Sequence, residues 1–548
     1  MTDLSEQRPG YSRTDPWIAA GIVLLVYGLV LTTPFSVIDD RAMLRDNPLL
    51  LRPSWGGFWE QFKIPQYSIY APLTFGLWYV IGTTTTDGHT VPAWGFKFVS
   101  WLVHGGVVFC AWWVIWRILR HRGSAMIGAL TVGLHPLQVE SVAWTTGTKD
   151  LLCGMLMMGS LGLYLRYLTE QKRRSFRWGV VLGVLATAAK PTAVVLPGIL
   201  LITDLSVRRV SWQKRLNDLW PFFPASLIGM LIILNVQHAF NTSPQPLGIR
   251  LLIALDSYSF YIRKIIWPYP LLVDYGRTPE WVRESGQLVW TWILPVGITI
   301  VLLFLRHRLL WLAAGWFVIP ILPVSGLVSF DMQQYSTVTD HYVYMSMLGI
   351  GLVLAVGVRR FSRMRWLIIA VLVTWGSLSL LQINRWRHLD QLYSDSLRRI
   401  PQSIMARSCL AWLAMDQNDW NTAEQLLRKI IQIRPRADAY QNLATVLIRQ
   451  DRLTEAAEMA KRSLANTTNL LNVFQTRAWL DLAKRVNDPD LALAAAAHWL
   501  RLEPDNPAPR QLIDLIRRSQ EYRSSTQPSS IRSSDTTVPA HQDLDSRD

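Results

Sequence analysis

Trp17-Ile-Ala-Ala-Gly-Ile-Val-Leu-Leu-Val-Tyr-Gly-Leu-Val-Leu-Thr-Thr-Pro34 runs straight into Phe35-Ser-Val-Ile-Asp39-Asp40-Arg-Ala-Met-Leu-Arg-Asp-Asn47-Pro48. The first stretch is close to the ~20 apolar residues that a bilayer requires of a crossing helix. The second opens a long polar loop on two adjacent carboxylates. Ionisable groups are expensive near a membrane and are kept there chiefly for function, so the pair is a candidate for proton abstraction. Solvated loop carboxylates beside Arg41 and Arg45 are the plain alternative.

Working outward, further apolar segments lie at roughly 97–116, 123–138, 151–168, 178–190, 191–207, 219–236, 288–305, 309–327, 341–357 and 366–383. With the first they make eleven expected spans. Half of the 548 residues are hydrophobic, 17% are charged, 26 are Trp and the mean hydropathy is +0.18, which excludes an ordinary soluble enzyme. A net charge of +16 and a pI near 9.9 would suit nucleic acid, but the cations alternate with the spans. Arg8 and Arg13 precede the first; Arg117, Arg120 and Arg122 follow the second; Lys172, Arg173, Arg174 and Arg177 follow the fourth. Arg208, Arg209, Lys214 and Arg215 follow the sixth; Arg306 and Arg308 part the eighth and ninth; Arg359, Arg360, Arg363 and Arg365 precede the last.

This is a positive-inside pattern, and nucleic acid is not an expected partner. It places 35–96, 139–150, 237–287, 328–340 and everything after 384 outside, provided that 251–267, with Asp256, Arg263 and Lys264, lies along the outer interface and does not cross. Residues 1–16 form a cytoplasmic segment, and the first span, which lacks a small-residue cleavage site, should be a retained anchor. Cys110, Cys153 and Cys409 imply no disulfide framework.

After a basic amphipathic connector at 384–403, a weak repeat of about 34 residues begins at 404, the period of tetratricopeptide repeats. Leu410-Ala411, Ala423, Leu427, Ile430 and Pro435 mark a first unit, and Leu443-Ala444, Ala456, Ala460 and Ser463 a second. Trp479, Ala492, Ala496, Trp499 and Pro504 mark a third. Small residues recur because paired helices must approach closely. The expected architecture is all-α: a polytopic membrane domain over 17–383 and an outer α-solenoid over 404–518. From 519 the Ser, Arg, Thr and Asp composition predicts a disordered tail.

Several groups on the expected outer side could join the acidic pair. Trp55-Gly-Gly-Phe58-Trp59 and Tyr67 to Tyr79 suit short interfacial helices that wall a cleft. His135-Pro-Leu-Gln-Val-Glu140-Ser-Val-Ala-Trp144 is followed by Lys149-Asp150, supplying an acid or ligand, carboxylates and a cation. A cap by His135 and a Glu140–Lys149 pair would be the structural alternative. Lys190-Pro191 invites an anion or snorkels. Arg263-Lys264 lies among aromatics up to Asp274-Tyr275, and Asp340-His341-Tyr342 opens the tenth span.

In this order, these motifs, with Ala189-Lys-Pro191 and Leu322-Pro-Val-Ser-Gly326, resemble the transmembrane and tetratricopeptide-repeat O-mannosyltransferases and their bacterial relatives in the GT-C superfamily. The resemblance spans about 15–510. It implies transfer of a sugar, such as mannose, from a polyprenyl-phosphate donor to a protein hydroxyl on the outer face, with Asp39 or Asp40 as base. Lys149, Lys190, Arg263, Lys264 and His341 match the donor-phosphate ligands, and His135, Glu140, Asp150, Asp340 and Tyr342 complete the candidate site. The resemblance fixes no cofactor, and a divalent metal is left open. The expected setting is a bacterial inner membrane, with lipid around the spans, periplasmic repeats and an acceptor polypeptide on those repeats. Two departures stand out. Ile38 replaces the usual aromatic before the acidic pair, and His341 stands where relatives mostly have Arg, and a His is cationic only when protonated. An oligosaccharide ligase would place its large loop late in the chain, whereas the longest loop here comes first, and a non-enzymatic repeat scaffold would be indifferent to Asp39 and Asp40. The sequons Asn241-Thr-Ser243 and Asn466-Thr-Thr468 carry no argument.

Overall fold

The structure, a computed structural model, describes residues 13–63, 70–237, 245–361, 363–466 and 473–526. The Asn241 sequon, the end of the Asn466 sequon, most of the N-terminal segment and the tail beyond 526 lie outside these. Among the described residues every regular element is helical. The chain divides into two compact units, Met1–Leu426 and Leu427–Asp548.

In the first unit, six helical stretches have the length and composition to cross a membrane: Asp15–Thr32, Ala93–Leu119, Thr145–Glu170, Trp212–Asn235, Gln287–Leu305 and Met364–Arg387. Pro191–Val207 and Arg308–Val324 are apolar but shorter. Arg122–Leu134, Arg173–Ala189 and Met347–Arg360 occupy the other expected spans. Some helices pack through glycine. At Gly349 an added Cβ would lie 2.4 Å from Ala313 O, and at Gly351 2.6 Å from Gly128 O, so backbones meet where side chains would hold them apart.

The basic clusters gather at one end. Arg122 reaches Asp15 (2.5 and 2.6 Å), Arg117 reaches Glu170 (2.8 Å), and Arg359 and Arg308 donate to the terminal carbonyls of Leu119 (2.6 Å) and Leu205 (3.1 Å). Cations there satisfy carbonyls that a helix C-terminus leaves open.

The first loop folds into Trp55–Lys63, with Trp55 and Trp59 exposed, and Pro72–Thr85, whose Thr74 hydroxyl donates to Ala189 O at 2.8 Å. Leu247–Ile266 is one helix, and it buries Asp256 against Arg277 (2.7 Å). The three cysteines are free thiols.

Helix pairs follow at the repeat period: Ile404–Asp416 with Trp420–Ile433, Ala437–Arg449 with Leu453–Asn466, and Val473–Val486 with Pro489–Leu502. The marker residues Ala411, Ala423, Leu427, Ile430, Leu443, Ala444, Ala456, Ala460, Trp479 and Ala496 are buried. Ile404–Asp416 is packed into the first unit, because Met405 and Cys409 join that unit's apolar core. A last helix, Pro507–Thr526, runs past the expected start of the tail at 519.

Gly349→Ala is expected to lower thermal stability in detergent by about 1–3 kcal/mol through overpacking. Gly21→Ala, where nothing lies within 4 Å, should leave it unchanged.

Candidate active site

Pro136 fixes how the site begins. The residue before a proline is driven from the helical region, so Arg122–Leu134 ends and His135 is extended (ψ 133°). The chain then makes three short turns, Pro136–Gln138, Val139–Ala143 and Thr145–Gly147, before the long helix from Thr148. Broken backbone buried in a membrane protein must have its polar groups satisfied. His135 Nδ1 accepts from the Leu137 N–H (3.2 Å), and its Nε2 lies 3.1 Å from Ile265 O. Both ring nitrogens are committed to the local fold. Gln138 donates to Val132 O and Tyr344 O, and buried Lys97 donates to Ala143 O.

The last turn exposes two backbone N–H groups, and Asp40 fills them. Its Oδ1 accepts from Thr146 N (2.8 Å), and its Oδ2 accepts from Thr145 N (3.2 Å) and Ser36 N (2.9 Å). The Asp40 residue is fully buried, with the Lys97 charge nearby. Gly147 is required beneath this turn, since a Cβ there would lie 2.5 Å from Ser141 O.

Asp39 has the opposite surroundings. It is half-buried, and among the described residues its carboxylate accepts no hydrogen bond. Burial raises its pKa above the ordinary carboxyl value, the Lys149 charge opposes that rise and the Asp40 charge adds to it. The Lys149 ammonium sits 4.9 Å from the Trp144 ring centroid and interacts electrostatically with Asp39, Asp150, Asp40 and Lys190. Among the described residues it donates no hydrogen bond. Asp150 pairs through Oδ1 with Lys190.

Trp144 meets the His341 ring in a T-shaped contact at 5.2 Å, and Tyr342 meets it in another at 4.5 Å. His341 Nδ1 lies 2.5 Å from Glu140 Oε1 and 3.1 Å from the Thr339 hydroxyl. Atoms as close as the first pair must hold a proton between them. Glu140 is thus partnered by His341, where the sequence alone offered Lys149. Its carboxyl is held well above the usual range by burial and then by the Asp340 charge. Asp340 accepts from Tyr275 OH (2.7 Å), and burial lifts its pKa to about 7 against the pull of Tyr275 and Lys264.

A small cleft opens beside this group, lined by Asp150, Lys190, Thr192, His341, Tyr342 and Met345 among others. Lys264 donates to Pro270 O and faces the Phe260 and Tyr275 rings. Arg263 is exposed beside Trp290, outside this cluster. Among the described residues no group of three or more His, Cys, Asp or Glu side chains is arranged to hold a metal ion.

Comparison with known proteins matches two tetratricopeptide repeats at 403–435 and 436–472. Protein O-mannosyl-transferase TMTC4 of Mus musculus is 22% identical over 469 residues, covering 72% of this chain and 62% of the mouse protein. TMTC4 of Homo sapiens is 22% identical over 483 residues, 73% of this chain and 64% of the human protein. Over most of its length the chain is similar to the transmembrane and tetratricopeptide-repeat O-mannosyltransferases. It spans under two thirds of the length of these curated relatives.

The Thr145 and Thr146 amides, Lys97, Tyr275 and Asp416 join this group without standing out in the sequence. Backbone donors leave no side-chain signature, although Thr-Thr-Gly147-Thr marks a tight turn. Asp416 accepts from Arg41 (2.6 Å) and Arg45 (3.0 Å), which also bind Asp46, and so ties the turn after the acidic pair to the first repeat helix.

Asp340, with its pKa raised to about 7, binds its proton more tightly folded than unfolded. Its stabilising contribution is complete below the ordinary carboxyl pKa of about 4 and is lost as pH rises through about 7. Melting temperature should fall over that window, and the fall should be shallower in Asp340→Asn.

Proposed function

We propose that this chain is a membrane glycosyltransferase that moves a sugar from a polyprenyl-phosphate donor to a hydroxyl of a polypeptide on the outer face, the periplasmic side of a bacterial inner membrane. One observation carries the assignment of the base. Asp40 spends its oxygens on three backbone N–H groups, while Asp39 keeps its carboxylate without a hydrogen bond among the described residues, close enough to Lys149 to feel its charge. A carboxylate saturated by amides is a poor proton acceptor, because each donor stabilises its ionised form. Asp39 lacks that restraint, and burial raises its pKa above the ordinary carboxyl value, which suits it to take a proton.

In the reaction, Asp39 takes the acceptor hydroxyl proton as the oxygen forms a bond to the anomeric carbon. The bond from that carbon to the donor phosphate breaks, and the phosphate departs with the electron pair. A single displacement inverts the anomeric centre. Lys149, a cation without a hydrogen-bond partner among the described residues, stabilises the charge that develops on the leaving phosphate. Lys190 is already neutralised by Asp150, and Arg263 lies outside the cluster, so the phosphate falls chiefly to Lys149. The O-mannosyl-transferase names of the similar proteins support this reaction class, and the repeats suit capture of the acceptor polypeptide.

Asp39→Asn should reduce transfer from a polyprenyl-phosphate mannose by about 10²–10⁴-fold with an unchanged melting temperature, whereas Asp40→Asn should lose stability along with activity. Equal loss of activity with unchanged stability in both variants would sink the distinction. The acid limb of the pH–rate profile should lie above the ordinary carboxyl pKa, with activity disappearing as pH falls through it. In Lys149→Gln the residual activity should show that limb moved to higher pH, because the charge that lowers the Asp39 pKa is gone.

A further inference from the structure

The Asp150 carboxylate is an oddity in the cleft. Its side chain is 9% exposed, Oδ1 is taken by Lys190, and Oδ2 is buried with no hydrogen-bond partner among the described residues. Leaving a buried acceptor unmade costs free energy comparable to its desolvation. An ionised carboxylate only accepts, so whatever completes it must bring a donor.

The surroundings narrow the donor. A phosphate is itself anionic and acceptor-rich, and Asp150 would repel it. An ammonium would meet the Lys190 and Lys149 charges beside Asp150. A neutral group with hydroxyl donors satisfies Oδ2 without either penalty. The cleft that Asp150 lines adds Thr192, with the Tyr342 and Tyr344 rings as walls. Lys149 feels the Asp39 and Asp150 charges, and Asp150 is paired with Lys190.

We infer that Asp150, clamped by Lys190, is a specificity-determining residue that accepts a hydrogen bond from a ring hydroxyl of the donor sugar, while Lys149 serves the phosphate. This rests on the glycosyltransferase reading above and extends it by dividing the cations: Lys190 orients a hydroxyl acceptor and does not bind phosphate.

The test compares binding of polyprenyl-phosphate mannose with bare polyprenyl phosphate, by tryptophan fluorescence, to the full-length protein in nanodiscs. The wild-type protein should prefer the sugar-bearing lipid. In Asp150→Ala that preference should fall at least about tenfold, since a site built to bond a hydroxyl discriminates strongly by that bond. Bare-lipid affinity should stay within about twofold. Asp150→Leu/Lys190→Leu leaves no unpaired buried charge and should behave alike, which covers the case where the single variant fails to fold. Retention of the sugar preference in a folded variant overturns the proposal. Parallel loss of both lipids also overturns it, by making the pair a phosphate site or a structural one. A wild-type protein that shows no sugar preference and transfers no mannose overturns the reaction reading itself, and that control does not depend on Asp150.

Discussion

Three backbone N–H groups converge on the Asp40 carboxylate, and one end of the helical domain is organised around that contact. An ionised carboxylate in a dry interior survives only when its oxygens are bonded and its charge is balanced. Ser36, Thr145 and Thr146 supply the bonds, and Lys97, buried on the neighbouring helix, supplies a compensating charge. Because the donors come from both the first loop and the broken segment after His135, the contact locks two stretches about a hundred residues apart in sequence. Asp39 inherits its position from that lock.

The lock creates an asymmetry between neighbours. Adjacent side chains on an irregular backbone point in different directions, so one carboxylate can be buried in amides while the next faces a cation. Here the Asp40 carboxylate is hydrogen-bonded to three backbone amides, and among the described residues the Asp39 carboxylate meets its neighbours only through charge. The same broken segment places Trp144, which holds Lys149 over its face and His341 in a T-shaped contact, and carries Glu140 to within 2.5 Å of His341. Helix ends and turns can bring such different groups together because their backbone is not committed to a regular ladder.

A second set of contacts reaches back from the C-terminal side of the first unit. Tyr393 is 2.9 Å from the Ser36 hydroxyl, Ser403 donates to Asp274 at 2.6 Å, and Asp416 binds Arg41 and Arg45. The Arg41 guanidinium also lies 4.5 Å from the Trp412 ring centroid. The opening helix of the repeat sequence is therefore part of the frame that shapes the acidic loop, although its sequence pattern is that of a repeat.

The sequence by itself determined the helical class, because apolar runs of bilayer length and a 34-residue recurrence of small residues admit little else. It also drew attention to Asp39, Asp40, Glu140, Lys149, Asp150, Lys190, Asp340 and His341 as chemistry-bearing residues, since charged groups beside apolar segments are conspicuous. Their pairings were not legible. Whether Glu140 meets Lys149 or His341, whether His135 is a ligand or a cap, and which aspartate is saturated depend on contacts between residues as much as two hundred positions apart. Only the tertiary structure decided these, because a backbone amide carries no side-chain identity and a charge is satisfied by whatever the fold brings within hydrogen-bond reach.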